Sequence, residues 1–210
     1  MGLVGKISGF KTPFVAFIVS ALATLVLSLT VKPLDVYRAV ITSPFGLVLV
    51  GRTMMAYTLV YPATGSEYLA LASAILFNNS MSLMAALLAP LAVHAAYTYG
   101  LRFMKKTVLT KVPLLKPGWG FCQHTIAGLS MLYAAFLGLA MVTMLILGGP
   151  KLFMPLEAAY VLATAATVYK ASKEDANNIV PYYRSAVKRV LPPILVLMVV
   201  SALVEAYEIV

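Results

Sequence analysis

Seven polar side chains sit inside otherwise apolar runs of this chain and are the ones whose types could carry chemistry: Arg52, Asn78, Asn79, His94, His124, Glu157 and Glu205. Two carboxylates buried together repel each other and lose hydration, which suits one of them to carry a proton or bind a cation. Glu157 and Glu205 are placed to meet in that way. At headgroup level each would cost little, and Glu157 also suits the start of its own helix, where the macrodipole favours an anion. Asn78 and Asn79 can bind a substrate or bridge to a neighbouring helix. Adjacent helical residues point about 100° apart, so the two amides cannot face one partner equally. His94 and His124 can titrate or share a ligand, or stand as interface residues satisfied locally. Arg52 either snorkels to the membrane surface or pairs with a membrane carboxylate.

The same residues exclude several classes. One cysteine, Cys122, permits no internal disulfide, and with two histidines in the chain a zinc site would need carboxylates. The chain has no Gly-rich phosphate loop, no HExxH and no nucleophile elbow, so these residues identify no enzyme, cofactor or metal site.

The elements that must position them are membrane helices. Of 210 residues 61% are hydrophobic and 11% charged, the composition of an all-α, multi-pass protein of the cell membrane. Residues 66–100 form the central run. As a helix they would reach about 50 Å, beyond a hydrocarbon core of about 30 Å, so the run must tilt, bend at Pro90 or emerge. The asparagines would lie roughly 15 Å below Tyr68 at 1.5 Å per residue, where an amide needs a partner from another helix. Residues 14–31 read as a retained first span rather than a signal peptide, because the apolar stretch is long and no small-residue cleavage site follows. Three further spans are expected near residues 124–147, 152–169 and 193–208. Gly128, Ala134, Ala135 and Gly138 offer close packing in the first of these. Residues 44–63 carry Arg52 in mid-run and are expected to be interfacial or re-entrant. Residues 181–189 read as a basic surface segment, with Tyr182, Tyr183 and Val187 toward lipid and Arg184, Lys188 and Arg189 toward headgroups.

Five spans with a cytoplasmic N-terminus satisfy the positive-inside rule. Twelve of the 16 Lys and Arg residues then fall inside, at Lys6, Lys11, residues 102–116 and residues 170–189. The basic excess therefore expresses topology. Contact with anionic lipid is compatible with it, whereas no soluble face combines aromatic and basic residues for nucleic acid.

Three segments carry a family resemblance: AILFNNSMSLMAALLA at residues 74–89, PLEAAYVLATAATVYKA at 155–171 and PPILVLMVVSALVEAY at 192–207. Together they resemble the stage II sporulation protein M family of integral membrane proteins. The resemblance rests on Asn78 and Asn79 within one helix, Glu157 at the start of a later one, and a terminal Ala202, Glu205, Ala206 pattern. Where that family usually has His-Gly ahead of the first glutamate, this chain has Phe153-Met154-Pro155-Leu156. The resemblance implies a non-enzymatic scaffold that engages membrane-protein partners or further copies of itself. A small transporter or channel for a proton, cation or small solute is the alternative. A water-filled cavity reaching from Glu157 and Glu205 toward Asn78 would favour transport, and a closed, dry bundle would oppose it.

Overall fold

A computed structural model describes residues 3–29, 31–32, 34–35, 38, 42, 44–106, 118–149 and 151–210. Lys111, Lys116, Pro113 and Pro117 of the basic loop lie outside them. The described residues form six helices and no strands: α1 Leu3–Ser28, α2 Pro44–Thr64, α3 Glu67–Lys106, α4 Trp119–Ile146, α5 Met154–Ala171 and α6 Ile179–Ile209. Four of them, α1, α3, α4 and α6, are long and apolar enough to cross a membrane. The expected span at 152–169 is α5, which is shorter and is not among those four.

α5 is the centre of the bundle, packed against α1, α3, α4 and α6. Its run of small and branched residues explains why. Thr164, Ala165 and Ala171 have no exposed surface, and Thr164 and Thr167 return their hydroxyls to the carbonyls of Tyr160 and Ala163, both at 2.8 Å. A helix so capped by its own backbone can be enclosed without unpaired hydroxyls.

Polar side chains stitch the neighbouring helices by donating to backbone carbonyls. Ser130 Oγ donates to Ala165 O at 2.7 Å, joining α4 to α5, and Ser20 Oγ donates to Ala135 O at 2.6 Å, joining α1 to α4. Gly138 marks the closest approach of α1 and α4. A methyl there would run into the Phe17 carbonyl oxygen and come within 3.1 Å of Ala21 N. Gly128, expected to pack in the same way, faces open space.

α2 and α3 form a hairpin. Gly65 adopts φ 62°, a left-handed conformation suited to glycine, and its N–H donates to Tyr61 O at 2.8 Å. Ser66 Oγ then accepts from Leu69 N–H at 3.3 Å and caps α3. The segment expected to be interfacial or re-entrant is thus one unbroken 21-residue helix, with α3 as its packing partner.

Two expectations about the C-terminal region are corrected. Pro192 and Pro193 do not begin a new helix but lie inside the 31-residue α6. Both are exposed, as are Lys188 and Arg189. The prolines deprive the carbonyls of those two residues of helical donors, and on the outside of the bundle such carbonyls can be solvated. Tyr183 does not face lipid. It is 2% exposed and donates its hydroxyl to Leu87 O at 2.6 Å, while Tyr182 and Val187 also pack on the core. That bond ties α6 to α3 one residue past Ala86, whose carbonyl Pro90 leaves without its helical donor.

Replacing Gly138 with Ala is expected to lower stability by about 1–3 kcal/mol, the usual cost of forcing atoms into a packed contact. Gly128→Ala should stay within about 0.5 kcal/mol of wild type. Thermal unfolding of both variants in detergent, followed by size-exclusion chromatography, checks the contrast.

Candidate ligand cleft

A partly enclosed cleft of about 520 Å³ lies between α3, α4 and α5, with Arg52 of α2 at its wall. The volume falls within the range of small-molecule sites. Its long walls are Asn78 to Ala89 on α3 and Glu157 to Val168 on α5. The two helices run in the same direction. The end of α3 meets the start of α4 where His94 and Tyr97 pack edge-on against Trp119, at 5.9 and 5.1 Å between ring centres, and a short joint then turns α4 back into α5. Eleven helical rises on each wall, from Asn78 to Ala89 and from Glu157 to Val168, make the cleft about 16 Å long at 1.5 Å per residue.

The cleft is polar at one end and apolar at the other. Arg52, Asn78, Asn79, Ser82, Tyr133, Glu157 and Tyr160 gather at the first end. Ala86, Ala89, Leu129, Ala165 and Val168 line the second.

Each polar group arrives by a readable route. Arg52 is brought by the α2–α3 hairpin, since Arg52 and Asn79 stand twelve residues from its two sides, at Thr64 and Glu67. An antiparallel pair places them at one level, about 18 Å from the turn. Among the described residues the guanidinium makes no ion pair, only a long bond from Nε to Val48 O at 3.4 Å. Asn78 presents the sharpest anomaly. Its Oδ1 is buried and has no hydrogen-bond partner, so the cross-helix partner expected for this amide is absent. Tyr160 donates to Glu157 Oε1 at 3.4 Å, one helical turn apart on α5, and Tyr133 of α4 lies within electrostatic range of the same carboxylate.

Glu205 does not line the cleft. It stands on α6, within electrostatic range of Glu157 and of Tyr160. The two glutamates are therefore brought together, with one facing the cavity. What holds them in register is Glu208, three residues after Glu205. Its Oε1 accepts from the N–H groups of Lys151 and Leu152 at 2.8 and 2.9 Å, and Oε2 from those of Leu152 and Phe153 at 2.9 and 3.3 Å. A carboxylate on the N–H groups just ahead of a helix satisfies donors that have no partner within it and complements its dipole.

The histidines belong elsewhere. His94 packs on Trp119, and His124 shares its Nδ1 with Gly120 O of its own helix at 2.6 Å. Trp119 and Gln123 both donate to Glu174 O, at 2.8 and 3.1 Å, closing that end of the bundle. Cys122 is buried and free. Among the described residues no three His, Cys, Asp or Glu side chains converge on a metal-sized site.

Sequence reasoning missed Tyr133, Tyr160, Ser82 and Glu208. For Tyr160 a signal existed, because Glu157 and Tyr160 are three apart and share a helix face.

Compared with protein-family models, curated proteins and solved structures, the chain matches none.

Replacing Glu208 with Ala is expected to lower the thermal midpoint, since three backbone donors lose their acceptor, whereas Glu208→Gln keeps one carbonyl oxygen and should fall between that variant and wild type. Circular dichroism melts of the purified protein distinguish the three.

Proposed function

We propose that this chain is a non-enzymatic, multi-pass membrane protein that binds a small polar solute or cation in a cleft within its own bundle and passes it through the membrane. The observation that carries the reading is a cavity in which Glu157, Asn78, Asn79 and Arg52 line one end. Intramembrane ionisable groups are expensive, and those facing an internal cavity mark solute and ion paths. Glu157 and Glu205 lie close enough to share a proton, and a cation that takes the place of that proton meets the carboxylate pair. The unpaired Asn78 Oδ1 supplies a neutral acceptor whose desolvation is offset only when a donor arrives.

The five-span arrangement with a cytoplasmic N-terminus fits this function. α1, α3, α4, α5 and α6 cross, α2 lies antiparallel along α3, and the polar end of the cleft lies toward the outer half of the membrane. The basic residues following α3 and α5 then lie inside, as the positive-inside rule requires.

A partner-binding scaffold, as the resemblance to the stage II sporulation protein M family implies, is the second reading. It is favoured by the outward face of α1. Only 11% of its candidate span is buried within the chain, and side chains such as Leu22 and Val26 stand free for lipid, a partner helix or a second copy.

Proteoliposomes loaded with the protein are expected to bind and take up methylammonium above protein-free vesicles. Glu157→Gln and Asn78→Leu should each reduce uptake by about tenfold or more, which is at least 1.4 kcal/mol at 25 °C. Asn78→Leu should remain as stable as wild type to within about 1 kcal/mol, because the oxygen it removes has no partner to lose. Absence of binding and uptake, with specific partner proteins retained by the wild type, would move the weight to the scaffold reading.

A further inference from the structure

The shape of the cleft says more than its charge does. A small cation would occupy the polar end alone and leave empty the slot beyond it, lined by Ala86 and Ala89 of α3, Leu129 of α4, and Ala165 and Val168 of α5. Resting on the reading of this cleft as a ligand site, we infer that its ligand is an amphiphile: a protonated amine carried on an unbranched apolar chain, the amine between Glu157 and Asn78 and the chain along the alanine slot.

Complementarity supports each part. An ammonium has three donors and no acceptor, and away from water it needs a counter-charge together with further acceptors. Glu157 provides the charge, and Asn78 Oδ1 is the buried acceptor without a donor. The chain has about 16 Å of cleft length to share with its head, by the helical rise of the two walls. A cleft partly open between membrane helices lets such a molecule enter sideways from the lipid. Arg52 at the polar end is the group that would tell two sources of this chemistry apart. A zwitterionic lipid headgroup brings a phosphate for the guanidinium beside its amine, and a free long-chain amine does not.

The test is native mass spectrometry of the whole protein released from nanodiscs equilibrated with dodecylamine, dodecyl phosphate, lauroyl lysophosphatidylethanolamine or methylammonium. Dodecylamine or the lysolipid should be retained about tenfold or more over dodecyl phosphate, and Glu157→Gln should abolish that preference. Ala86→Phe should block the slot and bring retention of the long-chain amines down to that of methylammonium. Arg52→Gln lowering only the lysolipid would identify the zwitterionic headgroup as the source, and equal loss of neither would identify the free amine. Equal retention of the amine and phosphate amphiphiles overturns the inference. Binding of methylammonium with no gain from a chain overturns it as well, leaving the small-solute reading standing. Retention of no amine of any length removes both.

Discussion

Inside a lipid bilayer there is no water to satisfy a polar group, so each one within a helix bundle must find its partner in protein. That constraint explains where this chain spends its hydroxyls and carboxylates. Ser20, Tyr68, Ser130 and Tyr183 each cross to a carbonyl of another helix, at 2.6, 3.2, 2.7 and 2.6 Å, and buried threonines turn back on their own. Against so consistent a background the exceptions are informative. Among the described residues two buried side-chain atoms lack a partner, Ser201 Oγ and Asn78 Oδ1, and of those Asn78 belongs to the wall of the cleft.

The architecture around that exception follows from α5. A short helix of small residues can be enclosed by four others, and enclosure brings Glu157 into the bundle one turn after the helix begins. Glu208 fixes the start of α5 against the end of α6 and so sets Glu157 beside Glu205. From the other side the α2–α3 hairpin, closed by Gly65 and Ser66, delivers Arg52 to the level of Asn79. Three separate local devices, a helix of small residues, a carboxylate cap and a glycine turn, thus converge on one polar chamber. None of them needs the chamber in order to form.

Much of this was legible in the sequence and some was not, for physical reasons. Long apolar runs identify helices that must shed their backbone polarity internally, so α1, α3, α4 and the second half of α6 were readable. Isolated polar and charged groups in such runs stand out, which is why Arg52, Asn78, Asn79, Glu157 and Glu205 could be named. Their grouping depends on helix register, and the hairpin symmetry about Gly65 could have paired Arg52 with Asn79. Glu208 looked like a terminal surface residue, because its partners lie 55 to 57 positions away in the chain. The double proline in α6 was misjudged because its cost depends on whether the freed carbonyls face solvent or core, and spacing alone does not tell. Tyr183 was assigned to lipid for the same reason. With Pro192 and Pro193 taken as a break, the helix lost the register that turns the tyrosine inward.

A cation site at the polar end of the cleft requires that end to be open to ions and negative in sign when Glu157 is ionised. In a Cys122→Ala background, Ser82→Cys places one thiol on the cleft wall, and its modification rates by cationic aminoethyl and anionic sulfonatoethyl methanethiosulfonates report the local field. Faster reaction with the cationic reagent, reduced to parity by Glu157→Gln, is the predicted result. A thiol that reacts with neither reagent, or with both at the same rate whether or not Glu157 is present, would contradict the account.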